Sequence, residues 1–368
     1  LKEHGLFRGI RDRLSAQGPR ITIGSRELIN FSSNDYLGLS NHPHIIDSVK
    51  RTLDIHGYGS AASRLLSGGT RVFRDLEEKM AIFKDTEAAL IFNSGYSANT
   101  GSIPALAGDD TTIYSDELNH ASIIDGCRLS RSKVYIYRHK DTAHLRELLR
   151  QTGAGRKLVV TDTVFSMSGE IAPVPDICSL CEEFSAILYL DDAHGTGVLG
   201  NGKGTLSHFG TPPDPSIIQM GTFSKAFGSL GGFVAGSGDI IEWIVNTARS
   251  FMFSTALPSC VIAASLAALE LIGHSDELLK KLWINRDRVA DGLKNLGVDC
   301  AGSETPIIPI HTGDLANTLR IAEYLYDKNI YAPAIRPPTV KEPLLRLTVT
   351  AAHTEEDIEL LLDAMKRA

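Results

Sequence analysis

Between residues 88 and 236 the chain repeats one pattern: a short apolar run, centred in turn on Leu90, Ile113, Val134, Val159, Leu188, Ile218 and Val234, set off by turn residues and helical stretches. Runs of this length read as strands, and the intervening Leu145 to Leu149 and Pro175 to Phe184 carry helical spacing. A strand apolar throughout needs cover on both faces, and strand–helix alternation provides it as a mostly parallel sheet between two helix layers. The expected fold class is therefore α/β, with a mostly parallel seven-stranded sheet and helices on both faces. At 368 residues with 43% hydrophobic content, the chain exceeds what that one layered core needs.

The remainder falls on either side. An extended N-terminal arm runs through Ser40 into a helix beginning near Pro43, and Gly57-Tyr58-Gly59-Ser60 forms a turn before a helix from Arg71 to Phe83. After Pro258 a long helical region reaches Leu296. Ile307 to Ile310, Tyr331 to Ile335 and Leu345 to Val349 then read as strands, with helices from Leu315 to Asp327 and Glu355 to Lys366. The expected organisation is an arm over 1–42, a large domain over 43–257, and a linking helix with a smaller α+β C-terminal domain over 258–368.

Several function classes are disfavoured. A net charge of −7 with interspersed signs gives no footprint for nucleic acid or an anionic membrane. No apolar stretch reaches membrane-spanning length and the start lacks a secretory hydrophobic core, so a cytoplasmic location is expected. The chain begins at Leu1 rather than methionine, which points to a trimmed start. Five scattered cysteines do not make a disulfide framework. Cys178 and Cys181 form a C-x-x-C inside an expected helix with no second pair, and read as small apolar packing residues. His42-Pro43-His44 sits at a helix entry, where capping explains it, so no metal site is expected. Gly200-x-Gly202-x-Gly204 lacks the early strand–loop–helix context of a dinucleotide fingerprint, and neither a Walker A nor a Gly-x-Ser-x-Gly sequence occurs.

Three segments carry chemistry instead. Lys225, in Gly221-Thr222-Phe223-Ser224-Lys225-Ala226-Phe227-Gly228, follows an apolar run and sits among small residues. There, at the mouth of a sheet, partial desolvation favours a nucleophilic amine able to form a Schiff base; the plainer alternative is a loop lysine paired with a carboxylate. Asp191 ends the run Ala186 to Leu190 at a strand's carboxyl end, where open α/β sheets place ligands. A carboxylate there suits a pyridinium nitrogen, with His194 three residues on, or else simply caps the next turn. The run Ala88 to Phe92 stops at Asn93-Ser94-Gly95-Tyr96 before a helix-like stretch, whose first free amides favour an anion; a plain serine N-cap fits the same residues.

Taken together and in order, Ser94-Gly95-Tyr96-Ser97-Ala98-Asn99, Asp116-Glu117-Leu118-Asn119-His120-Ala121-Ser122, Val164-Phe165-Ser166-Met167, Asp191-Asp192-Ala193-His194-Gly195-Thr196-Gly197 and Gly221-Thr222-Phe223-Ser224-Lys225 resemble the α-oxoamine synthases, pyridoxal phosphate transferases of fold type I. Asn34-Asp35-Tyr36-Leu37-Gly38-Leu39 and Ala334-Ile335-Arg336-Pro337-Pro338-Thr339-Val340 extend the likeness over nearly the whole chain. The resemblance implies that Lys225 bears pyridoxal 5'-phosphate, Asp191 pairs with its ring nitrogen, His194 and Ser166 bond its phenolic oxygen, and His120 stacks on the ring. It further implies that Gly95, Tyr96 and Thr222 hold the phosphate, with Thr255 reaching the site of a neighbouring subunit in a homodimer.

For substrates it implies that Arg346 clamps an amino-acid carboxylate beside Asn34, while Arg8 and Thr339 meet the acyl chain. The 334–340 stretch resembles the branch that condenses L-alanine with a pimeloyl thioester, of coenzyme A or acyl carrier protein, to 8-amino-7-oxononanoate, carbon dioxide and free thiol in biotin biosynthesis. Glycine-using sisters, 2-amino-3-ketobutyrate coenzyme A ligase and 5-aminolevulinate synthase, share most of the motifs, as more distantly does serine palmitoyltransferase. Thr163 and Ser168 stand where relatives more often carry glycine and aspartate, and Leu344 and Leu345 precede Arg346 where a second arginine is common.

Overall fold

The structure, a computed structural model, describes residues 7, 9–151, 155–274 and 276–368. All seven expected strands form, and they share one sheet in the order Ala88–Phe92, Gly232–Gly236, Ile217–Thr222, Ile187–Asp191, Arg156–Asp162, Thr111–Asp116, Lys133–Tyr137. Every pairing is parallel except those of Gly232–Gly236, which runs antiparallel to both neighbours. Chain length explains the exception. Only residues 223–231 join Ile217–Thr222 to Gly232–Gly236, too few for the crossover a parallel return requires.

Side chains alternate across this sheet as strand geometry demands. Leu158 and Val160 face a core with Ile103, Ile123 and Ile244, whereas Val159 between them joins Leu145, Leu149, Ile177 and Leu180 on the other face. Helices Gly95–Leu106, Ala121–Ser130 and Gly238–Thr247 cover one side, and Thr142–Gln151 and Val174–Glu183 the other. Burial on two faces leaves only the strand ends for polar work.

Contacts divide the chain into two units. One holds His42–Phe165 and the residues from Ile171 through helix Ser259–His274; the other holds the described residues up to Asn41, Ser166–Glu170 and Asp276–Ala368. The helical region after Pro258 is thus two helices, Ser259–His274 in the larger unit and Asp276–Asn295 in the smaller. The smaller unit has its own core, in which Phe31, Val289, Ile308, Leu345, Leu347 and Leu361 meet.

Two local features of the smaller unit differ from the sequence reading. The arm contains a hairpin, Arg20–Ile23 against Arg26–Asn30, turned at Gly24 with φ 60°; the alternating apolar positions and the Gly-Ser step were its signals. The single strand expected over 331–335 is split at Pro333, which has no N–H to offer a ladder. Ile330–Tyr331 pairs parallel with Arg26–Asn30, and Ala334–Ile335 pairs antiparallel with Leu344–Thr348. In the larger unit His42 caps helix Pro43–His56, its ring nitrogen accepting from the His44 amide, and helix Arg71–Phe83 has the expected bounds. Among the described residues no helix is long and apolar enough to cross a membrane.

His353 braces the smaller unit. Fully buried, it stacks on Phe31 with ring centroids 4.2 Å apart, accepts the Thr350 amide at Nδ1 and donates from Nε2 to the Asn30 carbonyl, 3.1 Å each. The bond accepted at Nδ1 requires the neutral ring, and burial, against the opposing influence of the Asn30 carbonyl, lowers its pKa to about 4. An unfolded histidine titrates near 6.5, so the unfolded chain binds the extra proton first as pH falls. His353 therefore stabilises the fold fully above about pH 6.5, and that contribution fades toward pH 4. Unfolding titrations should show the stability advantage of wild type over His353→Phe shrinking by about 3 kcal/mol across this window. A constant difference would contradict the assignment.

Candidate active site

The larger unit gathers its polar side chains where its parallel strands end. Ala88–Phe92 leads to Ser94 and Gly95, Thr111–Asp116 to His120, Ile187–Asp191 to His194, and Ile217–Thr222 to Lys225, while Asp162 closes Arg156–Asp162. All these carboxyl ends lie on one edge, the ligand-binding edge of an open α/β sheet.

Asp191 is buried, 3% exposed, and accepts from Asn99 Nδ2 at 2.7 Å and from the Ala193 amide at 3.1 Å. No ion-pair partner lies within reach of it among the described residues. Lys225 is half-buried, and both Asp191 and Lys225 are close enough to act electrostatically on His120. The His120 ring is partly open to solvent. Burial of its remaining surface still lowers its pKa, opposed by Asp191 and aided by Lys225.

Asp162 stands beside Asp191 in register, and its carboxylate accepts the His120 amide at 2.6 Å. Burial, reinforced by the Asp191 charge, pushes Asp162 well above the usual carboxylate range.

At the neighbouring strand end, Ser94 caps helix Gly95–Leu106 by accepting the Ser97 amide at 3.0 Å. The Gly95 and Tyr96 amides belong to the first turn and have no partner within the helix. A Cβ on Gly232 would meet the Gly95 nitrogen at 2.7 Å, so that glycine is needed for this close approach, whereas one on Gly95 would make ordinary contact with Thr222 at 3.4 Å. Thr222 is buried here, its hydroxyl donating to the Gly231 carbonyl at 2.7 Å with Ser224 Oγ 2.8 Å away. The side chain of Thr255 is exposed, and its carbonyl accepts from Asn93 Nδ2 at 2.8 Å.

His194 is buried in the turn after Asp191, and Asp192 holds that turn. Asp192 accepts from Lys84 Nζ at 3.0 Å and from the hydroxyls of Thr163, Thr196 and Thr205 at 2.6 to 2.7 Å. Thr163, one of the positions where relatives differ, is thereby a direct support of the turn. A Cβ at Gly195 or Gly204 would collide with the Asp192 carboxylate. Burial raises the Asp192 pKa, but Lys84 and the hydroxyls outweigh it and hold the group below the usual carboxylate range.

The smaller unit holds a polar cluster of its own. Arg346 is 7% exposed and donates from Nε to the Ser166 carbonyl at 2.5 Å, from Nη1 to Thr348 Oγ1 at 2.8 Å and from Nη2 to Asn34 Oδ1 at 3.0 Å. All three acceptors are neutral, and no carboxylate pairs with it among the described residues. Tyr36 lies alongside, its phenol pushed up to about 12 by burial against the opposing influence of Arg346. Thr339 is exposed in a turn closed by its amide to the Arg336 carbonyl. Arg8 lies outside the described residues.

Sequence reasoning missed Asn99, Ser122 and Asp162. Asn99 and Ser122 stood within quoted motifs without a role, and Asp162 could have been found as the strand-end acid aligned with Asp191. Cys178 and Cys181 lie in helix Val174–Glu183, Cys181 buried, with burial raising both thiols.

A family model described as aminotransferase class I and II matches residues 26–365, and the chain belongs to that family. Over 366 residues it is 51% identical to a putative 8-amino-7-oxononanoate synthase of Thermodesulfovibrio yellowstonii, covering 99% of this chain and 94% of the relative. The 8-amino-7-oxononanoate synthase of Geotalea daltonii is 46% identical over 372 residues, with the same coverage. Among solved structures, a serine palmitoyltransferase from S. paucimobilis with a bound PLP–myriocin aldimine superposes with TM-score 0.94 at 28% identity, covering 97% of this chain and 92% of that one. The 8-amino-7-oxononanoate synthase from Francisella tularensis gives TM-score 0.81 at 26% identity, covering 92% and 97%. Backbone likeness and sequence identity thus rank the two activities differently. Identity carries more weight for substrate choice, because side chains line a pocket whose backbone both share.

The residues present fit pyridoxal phosphate. A buried acid that forms no salt bridge among the described residues suits a ring nitrogen, the helix start suits a phosphate, and a half-buried lysine acts, like Asp191, on His120. The support beneath the turn is open to test. Lys84→Met strands the Asp192 charge and should cost about 3–5 kcal/mol in chemical denaturation; an unchanged midpoint would show that the turn does not depend on the pair.

Proposed function

We propose that this protein is a pyridoxal phosphate-dependent acyltransferase that condenses L-alanine with a pimeloyl thioester to give 8-amino-7-oxononanoate, carbon dioxide and free thiol, in biotin biosynthesis. The observation that carries the reading is the buried Asp191 carboxylate, without an ion-pair partner among the described residues, in the company of Lys225 and His120. The identity with 8-amino-7-oxononanoate synthases over nearly the full chain supports the particular substrates.

Bound pyridoxal phosphate supplies an electron sink for charge developing at the amino acid's α-carbon. Asp191 would hold its ring nitrogen, His194 and Ser166 its phenolic oxygen, and the Gly95 and Tyr96 amides its phosphate. The Thr222 hydroxyl joins them by turning from the Gly231 carbonyl. Lys225 Nζ would hold the cofactor and would serve as the base that takes the α-proton and later returns one. His120 would lie against the ring and would donate a hydrogen bond to the thioester carbonyl oxygen as charge grows there.

Arg346, a buried cation with only neutral partners among the described residues, supplies the carboxylate clamp, aided by Asn34. Thr339 and Arg8 meet the acyl chain, borne by coenzyme A or acyl carrier protein. The enzyme works as a cytoplasmic homodimer in which Thr255 serves the partner's phosphate site; exposed Leu66 and Phe253 support a subunit contact.

Two measurements test the assignment. Supplied with L-alanine or glycine and with pimeloyl, acetyl, succinyl or palmitoyl thioesters, the enzyme should release thiol fastest with L-alanine and the pimeloyl donor; turnover with glycine alone would overturn the substrate assignment. Arg346→Lys keeps the charge but loses the planar fork, and should raise KM for L-alanine about tenfold or more. An unaltered KM would remove Arg346 from the carboxylate site.

A further inference from the structure

Asn99 is fully buried within helix Gly95–Leu106, beside Ala98 and Ile103 of the apolar core. A primary amide in such a place must spend all its polar atoms on partners or cost stability. Its partners are specific. Tyr189 donates its hydroxyl to Oδ1 at 3.0 Å, while Nδ2 gives one hydrogen to Asp191 Oδ2 at 2.7 Å and the other to Ser122 Oγ at 2.8 Å. The orientation of the amide follows from these contacts. Burial keeps the Tyr189 phenol protonated and able to donate, and an ionised Asp191 only accepts, so nitrogen must face the carboxylate.

The next link settles a histidine tautomer. Ser122 Oγ, having accepted from Asn99, lies 2.7 Å from His120 Nδ1, and the Ser122 backbone amide also points at Nδ1 from 3.2 Å. A ring nitrogen that accepts an amide hydrogen carries none of its own. The serine hydroxyl must then donate to Nδ1, and the ring hydrogen resides on Nε2.

We propose that Asn99 and Ser122 form a positioning relay, running Asp191–Asn99–Ser122–His120, that fixes the carboxylate and holds His120 as the neutral Nε2–H tautomer, a hydrogen-bond donor rather than a proton-transfer group. It deepens the cofactor reading given above and rests on that reading for its role in the reaction. The titratable groups around His120 are Asp191, Lys225 and Asp162, which accepts the His120 amide. Burial and Lys225 disfavour the imidazolium while Asp191 favours it, so the two donors at Nδ1 add to the side that keeps the ring neutral. Neither Asn99 nor Ser122 needs to touch substrate for this.

The test is nitrogen NMR of protein labelled in histidine, recorded before and after loading with pyridoxal phosphate, through a pH titration. In wild type, His120 Nδ1 should give the signal of an unprotonated, hydrogen-bonded nitrogen and Nε2 that of a protonated one. Asn99→Leu releases the serine hydroxyl and Ser122→Ala deletes it; each should move the His120 titration upward by about half a unit or more, although neither alters the histidine. Ser122→Ala keeps the backbone and its amide, so it decides the matter even if the Asn99 variant does not fold. A protonated Nδ1 in wild type, or a His120 titration that stays put in Ser122→Ala, overturns the relay. Failure of wild type to take up pyridoxal phosphate would instead overturn the cofactor reading and leave the tautomer intact.

Discussion

A carboxylate at the end of a strand buried on both faces is the constraint on which the rest turns. Asp191 cannot reach bulk water, so the fold must surround it with donors or give it a cation. Protein donors supply part of this, from Asn99 and the Ala193 amide. What remains is a negative group facing the edge where Lys225 and His120 also lie, which defines both the charge and the polarity of the ligand it takes. The adjacent Asp192 is bound by Lys84 and three threonine hydroxyls and so is committed to structure, while Asp191 is the acid that the proposed reading assigns to the cofactor.

The smaller unit repeats the argument with the sign reversed. Arg346 is buried among neutral acceptors, and such a guanidinium is stable only if those bonds are good and an anion completes them. Its neighbours are anchored by the same local core that includes Leu345 and Leu347, the residues flanking it on Leu344–Thr348. Alternation along that strand turns the polar side chain away from the apolar face, so packing and recognition are set by one register with Ile307–His311.

Much of this was legible in the sequence, for identifiable reasons. Six of the seven apolar runs could be read as strands because burial on both faces leaves a nearly uninterrupted signature, the edge strand Lys133–Tyr137 being partly exposed, and Asp191 and Lys225 stood out because one ends such a run and the other closely follows one. The hairpin over 20–30 was hidden by its position in an arm read as extended, and the break at Pro333 by a run that looked continuous. Asn99 and Ser122 were not recoverable as site residues by spacing. Asn99 lies 92 positions from Asp191 and 23 from Ser122, so their meeting depends on helix Gly95–Leu106 crossing the strand ends. Thr163 illustrates the converse. Its departure from the family pattern was plain in the sequence, but its bond to Asp192 emerged only from the fold.

The central claim, that the cofactor is bound covalently at the strand end opposite Asp191, is tested most directly by borohydride reduction of the pyridoxal phosphate-loaded protein followed by peptide mass mapping. The account predicts a phosphopyridoxyl group on the peptide containing Lys225. A label on another lysine, or none on a protein that has taken up the cofactor, would contradict it.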